Sequence, residues 1–218
     1  MSTTQDHHWH RRADLRRSTL EAAAFALILL IAGTLRFTGL NWDRAQWIHP
    51  DEGHMRAVTG AIRWPETLDA YFDTHESTLN PRNNEQIYSY GTLPLFATRA
   101  VAEWLDRGCG AAAETLPRWI AQRILQHLNH PQPHVAGWSC YPGTFTWTYS
   151  AYIGRHLAAL ADMGTLIVIG LVAQQLYTRR ISLLAMTLTA TTAFMIQQAH
   201  FYTVDSAATF FTVLTAYF

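Results

Sequence analysis

Polar and apolar positions along the chain separate into blocks rather than alternating. Residues 1–19 are polar, with Arg11, Arg12, Arg16 and Arg17 crowding their far end. Residues 20–35 are almost wholly apolar, interrupted only by Glu21. Extended to residue 40, that run makes a helix about 30 Å long, the hydrocarbon thickness of a bilayer. A long polar stretch of mixed composition follows over 41–153. A second apolar block covers 154–178 around the string GTLIVIGLVA and closes on Arg179-Arg180, and a third covers 181–199. A fourth covers 206–218 and is too short to cross a bilayer, which leads us to expect an N-terminal piece of a larger protein.

The pattern therefore predicts an all-α, polytopic transmembrane helical protein with a long extracytoplasmic first loop. Within that loop, residues 92–105 place Leu93, Phe96, Ala97, Ala100 and Trp104 at helical spacing, with Arg99 and Glu103 four apart. Residues 116–128 mix Trp119, Ile120, Ile124, Leu125 and Leu128 with Arg118, Gln122 and Arg123. Both stretches are short and charged, which suits helices lying at the membrane surface. Turns are expected at Asn80-Pro81-Arg82-Asn83-Asn84 and His130-Pro131-Gln132-Pro133. Trp42, Trp47, Trp64, Trp104, Trp119, Trp138 and Trp147 all fall in the loop, as in an interfacial aromatic layer.

Orientation follows from the arginines. Four precede the first span and one, Arg36, lies near its far end, so the N-terminus belongs in the cytoplasm. Parity then puts residues 41–153 outside, Arg179-Arg180 inside and Asp205 outside. Asp51, Glu52, Arg155 and Asp205 thus meet at one face. Treating 92–105 as a further span would expose Arg179-Arg180 outside, against the same rule.

Composition narrows the classes. Charged residues are 15% of the chain against roughly 25% in a soluble domain, and hydrophobic residues are 49%. The mean hydropathy of -0.02 averages the polar loop with the apolar blocks. There is no net charge and no basic stripe, which argues against a nucleic-acid partner. The first apolar run has no cleavage site of small residues and reads as an uncleaved anchor. Cys109 and Cys140 lack metal-ligand spacing. Both lie in the loop assigned to the outside, where a disulfide is permitted, and paired or free thiols both remain open.

The polar residues at the block ends are the candidates for chemistry. Arg155 opens the second span; its guanidinium suits a lipid phosphate, or equally a reach toward ordinary headgroups. Asp51, after Pro50, could act as general base, taking the proton of an acceptor hydroxyl as it attacks a sugar's anomeric carbon. A phosphate leaving group departs as an anion and needs no general acid. Asp51 could also cap a helix starting near Gly53. Glu52 is expected to orient the acceptor or to hold Arg155. Asp205 and His200 flank the mouth of the third span and, with Asp51, are the residues that could ligate a divalent cation, whose involvement the sequence leaves open. Asp162, seven residues after Arg155, is expected to pair with a polar group on a neighbouring helix.

Four strings, in order, resemble a known family: Trp47-Ile48-His49-Pro50-Asp51-Glu52, Tyr88-Ser89-Tyr90-Gly91-Thr92-Leu93-Pro94-Leu95, Gly154-Arg155-His156-Leu157-Ala158-Ala159-Leu160 and Gln197-Gln198-Ala199-His200-Phe201-Tyr202-Thr203-Val204-Asp205. They look like the N-terminal part of prokaryotic relatives of the dolichyl-phosphate-mannose protein mannosyltransferases, within the C-type glycosyltransferases. The resemblance spans about residues 20–218. It implies a polytopic fold and a catalytic acid in the first external loop, at Asp51, followed by Glu52. It also implies an arginine on donor phosphate, at Arg155, and an acidic residue in the second external loop, at Asp205. The partners implied are a polyprenyl-phosphate-linked sugar, a hydroxyl-bearing acceptor and the bilayer. From the residues alone, a lipid or anion transporter (a flippase) and a non-catalytic membrane scaffold stay open as alternatives.

Overall fold

The computed structural model describes residues 3–84, 86–110, 112–129 and 140–218, with side chains from residue 18 onward. The expected turn at His130–Pro133, Trp138 and the side chains of the four tail arginines lie outside what is described. Among the described residues every regular element is helical. Helix α1 spans Thr3–Phe37, and its part from Ser18 to Phe37 is long and apolar enough to cross a membrane. So is α6, Ser150–Leu176. The cytoplasmic tail expected over 1–19 is thus helical from Thr3, continuous with the first apolar segment.

The third apolar block is not one helix. It is broken into α7 (Arg179–Thr191) and α8 (Ala193–Ala199), bent by 60°. The break has an identifiable cause. Thr189, Thr191 and Thr192 turn their hydroxyls back onto carbonyls of the preceding turn, a habit that bends helices. At the same place Arg36 of α1 donates to the carbonyls of Ala190 and Thr189, at 3.0 and 3.2 Å, and so holds the end of α7. The chain ends in α9, Asp205–Tyr217.

Helix α6 is the axis on which the rest assembles; α1, α4, α7 and α9 all pack against it. Small residues let the neighbours in close. A methyl group at Gly170 would come within 2.5 Å of Met186, at Gly164 within 2.6 Å of Phe210, and at Gly154 within 2.0 Å of Tyr202. Small residues at such crossings let helix backbones come close and pack well.

Between α1 and α6 lie α2 (Pro50–Ala61), α3 (Leu68–Phe72), a 3-10 turn at Pro81–Asn84, α4 (Leu93–Asp106), α5 (Thr115–His127) and a π turn at Thr144–Thr148. Two of these match the helices expected at 92–105 and 116–128 to within a residue or so. The buried face of α4 does not match. Leu95, Thr98, Arg99, Ala102 and Leu105 face inward while Leu93 is exposed. Arg99 is the reason: it donates to the carbonyls of Thr59 and Gly60, both at 3.1 Å, filling the open end of α2, and pairs with Glu103. Helix α5 buries Pro117, Ala121 and Leu125 and leaves Leu116 and Trp119 outside.

Cys109 and Cys140 form a disulfide within a core of Leu105, Leu125, Phe145 and Tyr149. Next to it, Asp106 accepts the backbone N–H groups of Phe145 and Thr146 and the Thr146 hydroxyl. Burial pushes its carboxyl up, and these bonds offset only part of that rise.

Candidate active site

The chain leaves α1 through a strained hook. Gly39 has φ 80°, and Arg44, Ala45 and Trp47 also lie in the left-handed region, at 51°, 60° and 52°. Non-glycine residues there cost about 1–3 kcal/mol each, so something must hold them. Arg155 does. Its Nε and Nη2 donate to the two carboxylate oxygens of Glu52, both at 2.6 Å. Nη1 and Nη2 donate to the two oxygens of Asp43 at 3.0 and 2.8 Å, and Nη1 also reaches the Leu40 carbonyl at 2.7 Å. Trp42 and Trp47 stack on the guanidinium, each with its ring centre 5.3 Å away. Glu52 in turn accepts the backbone N–H of Tyr202 at 2.7 Å. One side chain on α6 therefore ties together the hook, α2 and the turn between α8 and α9.

All three charged groups are enclosed: Arg155 and Glu52 have no exposure and Asp43 has 5%. Burial raises the pKa of Asp43, but the hydrogen bonds and charge of Arg155, helped by the N–H groups of Ile48 and Trp47, more than offset it and leave the carboxyl below its ordinary value. A guanidinium has five N–H donors, and here each has a carboxylate or carbonyl to meet. Arg155 is thus the buried clamp of the loop, with its donors taken by Glu52, Asp43 and the Leu40 carbonyl. Glu52 takes the second of its two expected roles, holding Arg155.

Helix α2 starts with Pro50 in its first turn, where the missing N–H costs nothing, and His49 is the N-cap, without a side-chain cap bond. The cap expected from Asp51 is absent. Because successive helical residues are about 100° apart, Glu52 points in and Asp51 points out. Asp51 is exposed and faces a half-open pocket of about 320 Å³, lined also by His54, Tyr90, Thr203 and Asp205. Asp205 opens α9, so the heads of two helices present carboxylates to one space; Gln198 donates to Asp205 at 3.4 Å. Thr203 is 6% exposed, and its Oγ1 has no hydrogen-bond partner. The pocket's aromatic side continues from Tyr90 to Tyr88, whose hydroxyl donates to the Gly91 carbonyl. Burial and the neighbouring Tyr90 push the Tyr88 phenol up to about 12.

The other expected site residues lie elsewhere. His200 has its Nδ1 2.7 Å from the Ile196 carbonyl and its Nε2 2.9 Å from the Thr38 carbonyl, which links α8 to the end of α1. It does not line the pocket of Asp51 and Asp205. Among the described residues no group of three or more His, Cys, Asp or Glu could hold a metal ion. Asp162 pairs with Arg36 of α1, both buried, a polar link between neighbouring helices of the kind its depth requires. Sequence reasoning missed Asp43 and the role of Arg36. The signal for Asp43 was present: an arginine meant to be buried at the head of α6 needs neutralising, and Asp43 is the first acid after α1, flanked by tryptophans. No family model, curated protein or solved structure matches this chain.

Proposed function

We propose that this chain carries the catalytic base of an integral membrane glycosyltransferase that uses a polyprenyl-phosphate-linked sugar. In this reading the N-terminus is cytoplasmic and the pocket opens at the extracytoplasmic face, the side that the arginine pattern favours. The acceptor hydroxyl oxygen forms a bond to the anomeric carbon, its proton passes to Asp51, and the carbon–oxygen bond to the carrier phosphate breaks with its electron pair leaving on the phosphate. Asp205 faces the same space and orients the acceptor. Arg155 acts as a positioning residue, fixing α2 and the α8–α9 turn so that the two carboxylates face each other. The observation that carries this reading is the contrast between adjacent residues. Glu52 is consumed by a buried arginine, whereas Asp51 has no side-chain partner among the described residues and lies on a pocket shared with an acid far away in sequence.

The test is Asp51→Asn in the intact protein, assayed with a polyprenyl-phosphate sugar and a hydroxyl acceptor. Turnover should fall by about 10²- to 10⁴-fold, the usual contribution of a positioned general base. Near-normal turnover by a folded variant removes the proposal. One feature favours a second reading, a lipid or anion flippase: the broken helix pair α7–α8, since transporters use interrupted helices at their substrate sites. Scrambling of a labelled anionic lipid by the reconstituted protein, unaffected by Asp51→Asn, would decide for it.

A further inference from the structure

A second cavity lies apart from the one that holds Asp51. It measures about 840 Å³ and lies where α1 ends and α6 begins, with Phe37 on one wall and Tyr152, in the first turn of α6, on another. Among the described residues those two helices are the ones long and apolar enough to cross a membrane by themselves, and with both as spans the cavity lies near one boundary of the bilayer. Its polar lining is Thr38, Asn41, Arg44, His127 and Asn129, with Trp42 beside them, and among the described residues no carboxylate lines it. Arg44 is exposed and has no side-chain ion pair or hydrogen bond among the described residues, in contrast to Arg155, Arg36 and Arg99, each of which holds a carboxylate. Its backbone is held at φ 51°, by the same hook that Arg155 clamps. Asn41 has a buried Oδ1 with no partner; turned over, the amide presents N–H to an acceptor.

Two helix C-termini, those of α1 and α5, face this cavity and would repel an anion if their carbonyls were open. They are closed. The Thr34 carbonyl accepts from Thr38, those of Ile124 and Gln126 from Leu128 and Asn129, that of Thr38 meets His200, and that of Leu40 accepts from Arg155.

We propose that this cavity is a binding site for a phosphate ester of net negative charge, held by Arg44 with the Asn41 amide and the His127 ring, with Phe37, Trp42 and Tyr152 walling the carbon part. The site is separate from the pocket of Asp51 and does not depend on glycosyl transfer. The position at the bilayer boundary favours an anionic phospholipid headgroup, where each basic residue typically strengthens attachment about fivefold.

The test is native mass spectrometry of the intact protein in detergent, offered phosphatidylglycerol or phosphatidylcholine of matched acyl chains. Retention of phosphatidylglycerol over phosphatidylcholine is expected, falling about fivefold in Arg44→Asn. Asparagine tolerates the left-handed backbone there, so the hook keeps its shape. Arg82→Asn, a charge removed from an exposed turn elsewhere, and Asp51→Asn should both leave retention unchanged. Competition by glycerol 3-phosphate assigns the site to soluble phosphate esters; its failure to compete assigns it to the lipid. Equal retention of the two lipids, or an Arg44→Asn protein that holds phosphatidylglycerol as well as the parent, overturns the proposal.

Discussion

Replacing Arg155 by alanine strands two carboxylates, Asp43 and Glu52, where solvent does not reach them. Removing one partner of a buried ion pair typically costs about 3–5 kcal/mol, because the remaining charge loses its counter-ion without regaining water. Here it also releases three left-handed residues of the hook. Arg155→Ala should therefore lower stability by about 3–5 kcal/mol in chemical denaturation. Asp51→Asn, which removes an exposed and unpaired carboxylate, should change it by no more than about 0.5 kcal/mol. Similar losses for the two variants would mean that the clamp is not what holds the loop. At this scale the sequence was informative about which residues matter and poor at separating their roles. Arg155 could be picked out because an arginine at the head of an apolar helix is unusual. Its burial could not, because burial depends on where Asp43 and two tryptophans fall after a turn whose backbone no propensity predicts. The difference between Asp51 and Glu52 likewise required the phase of α2, which the proline fixes only once its first turn is placed.

At the scale of elements, the closest approach in the molecule that bears on the pocket is between Gly154 of α6 and the ring of Tyr202. Tyr202 is 1% exposed and shares a hydrogen bond of 2.8 Å with Thr59 of α2, and its backbone N–H is held by Glu52. The turn that carries Thr203 and Asp205 is thus registered against α6 by a glycine. A methyl group at Gly154 must push the ring away, since it would otherwise sit 2.0 Å from it. Gly154→Ala should cost about 1–3 kcal/mol through overpacking. It should also lower transferase turnover while leaving the Asp51 carboxylate in place, which thermal unfolding and the activity assay together would reveal. An alanine tolerated in both measurements would show that the α8–α9 turn can reposition freely. The helices themselves were legible from apolar periodicity, and α4 and α5 lie where the pattern set them. The inward face of α4 was not, because Arg99 faces inward to close the end of α2. The break between α7 and α8 was hidden too, since threonine hydroxyls that bond back to their own helix and an arginine arriving from α1 leave no mark on an apolar run.

At the scale of the whole molecule, the orientation of the loop and the disulfide are one question. Cys109 lies just beyond α4 and Cys140 in the approach to α6, and their bond sits inside the core that α4, α5 and α6 share. A bond of this kind persists in an oxidising compartment and is kept reduced in the cytosol of most cells. The arginine pattern favours the outside for that same loop, so both features support the side proposed for access to Asp51. In intact cells, a membrane-impermeant thiol reagent should label Cys109 and Cys140 only after reduction and partial unfolding, and a cysteine placed at exposed Ser89, on the rim of the Asp51 pocket, should label at once. Loss of the disulfide removes a closed loop, with a sequence separation of 31 residues, from the constraint on the unfolded chain, and should cost about 2–4 kcal/mol. Labelling of Ser89→Cys only after the membrane is permeabilised would put the pocket on the cytosolic side. The arginine count, the disulfide and the proposed use of an extracytoplasmic lipid-linked sugar would then all have to be given up together.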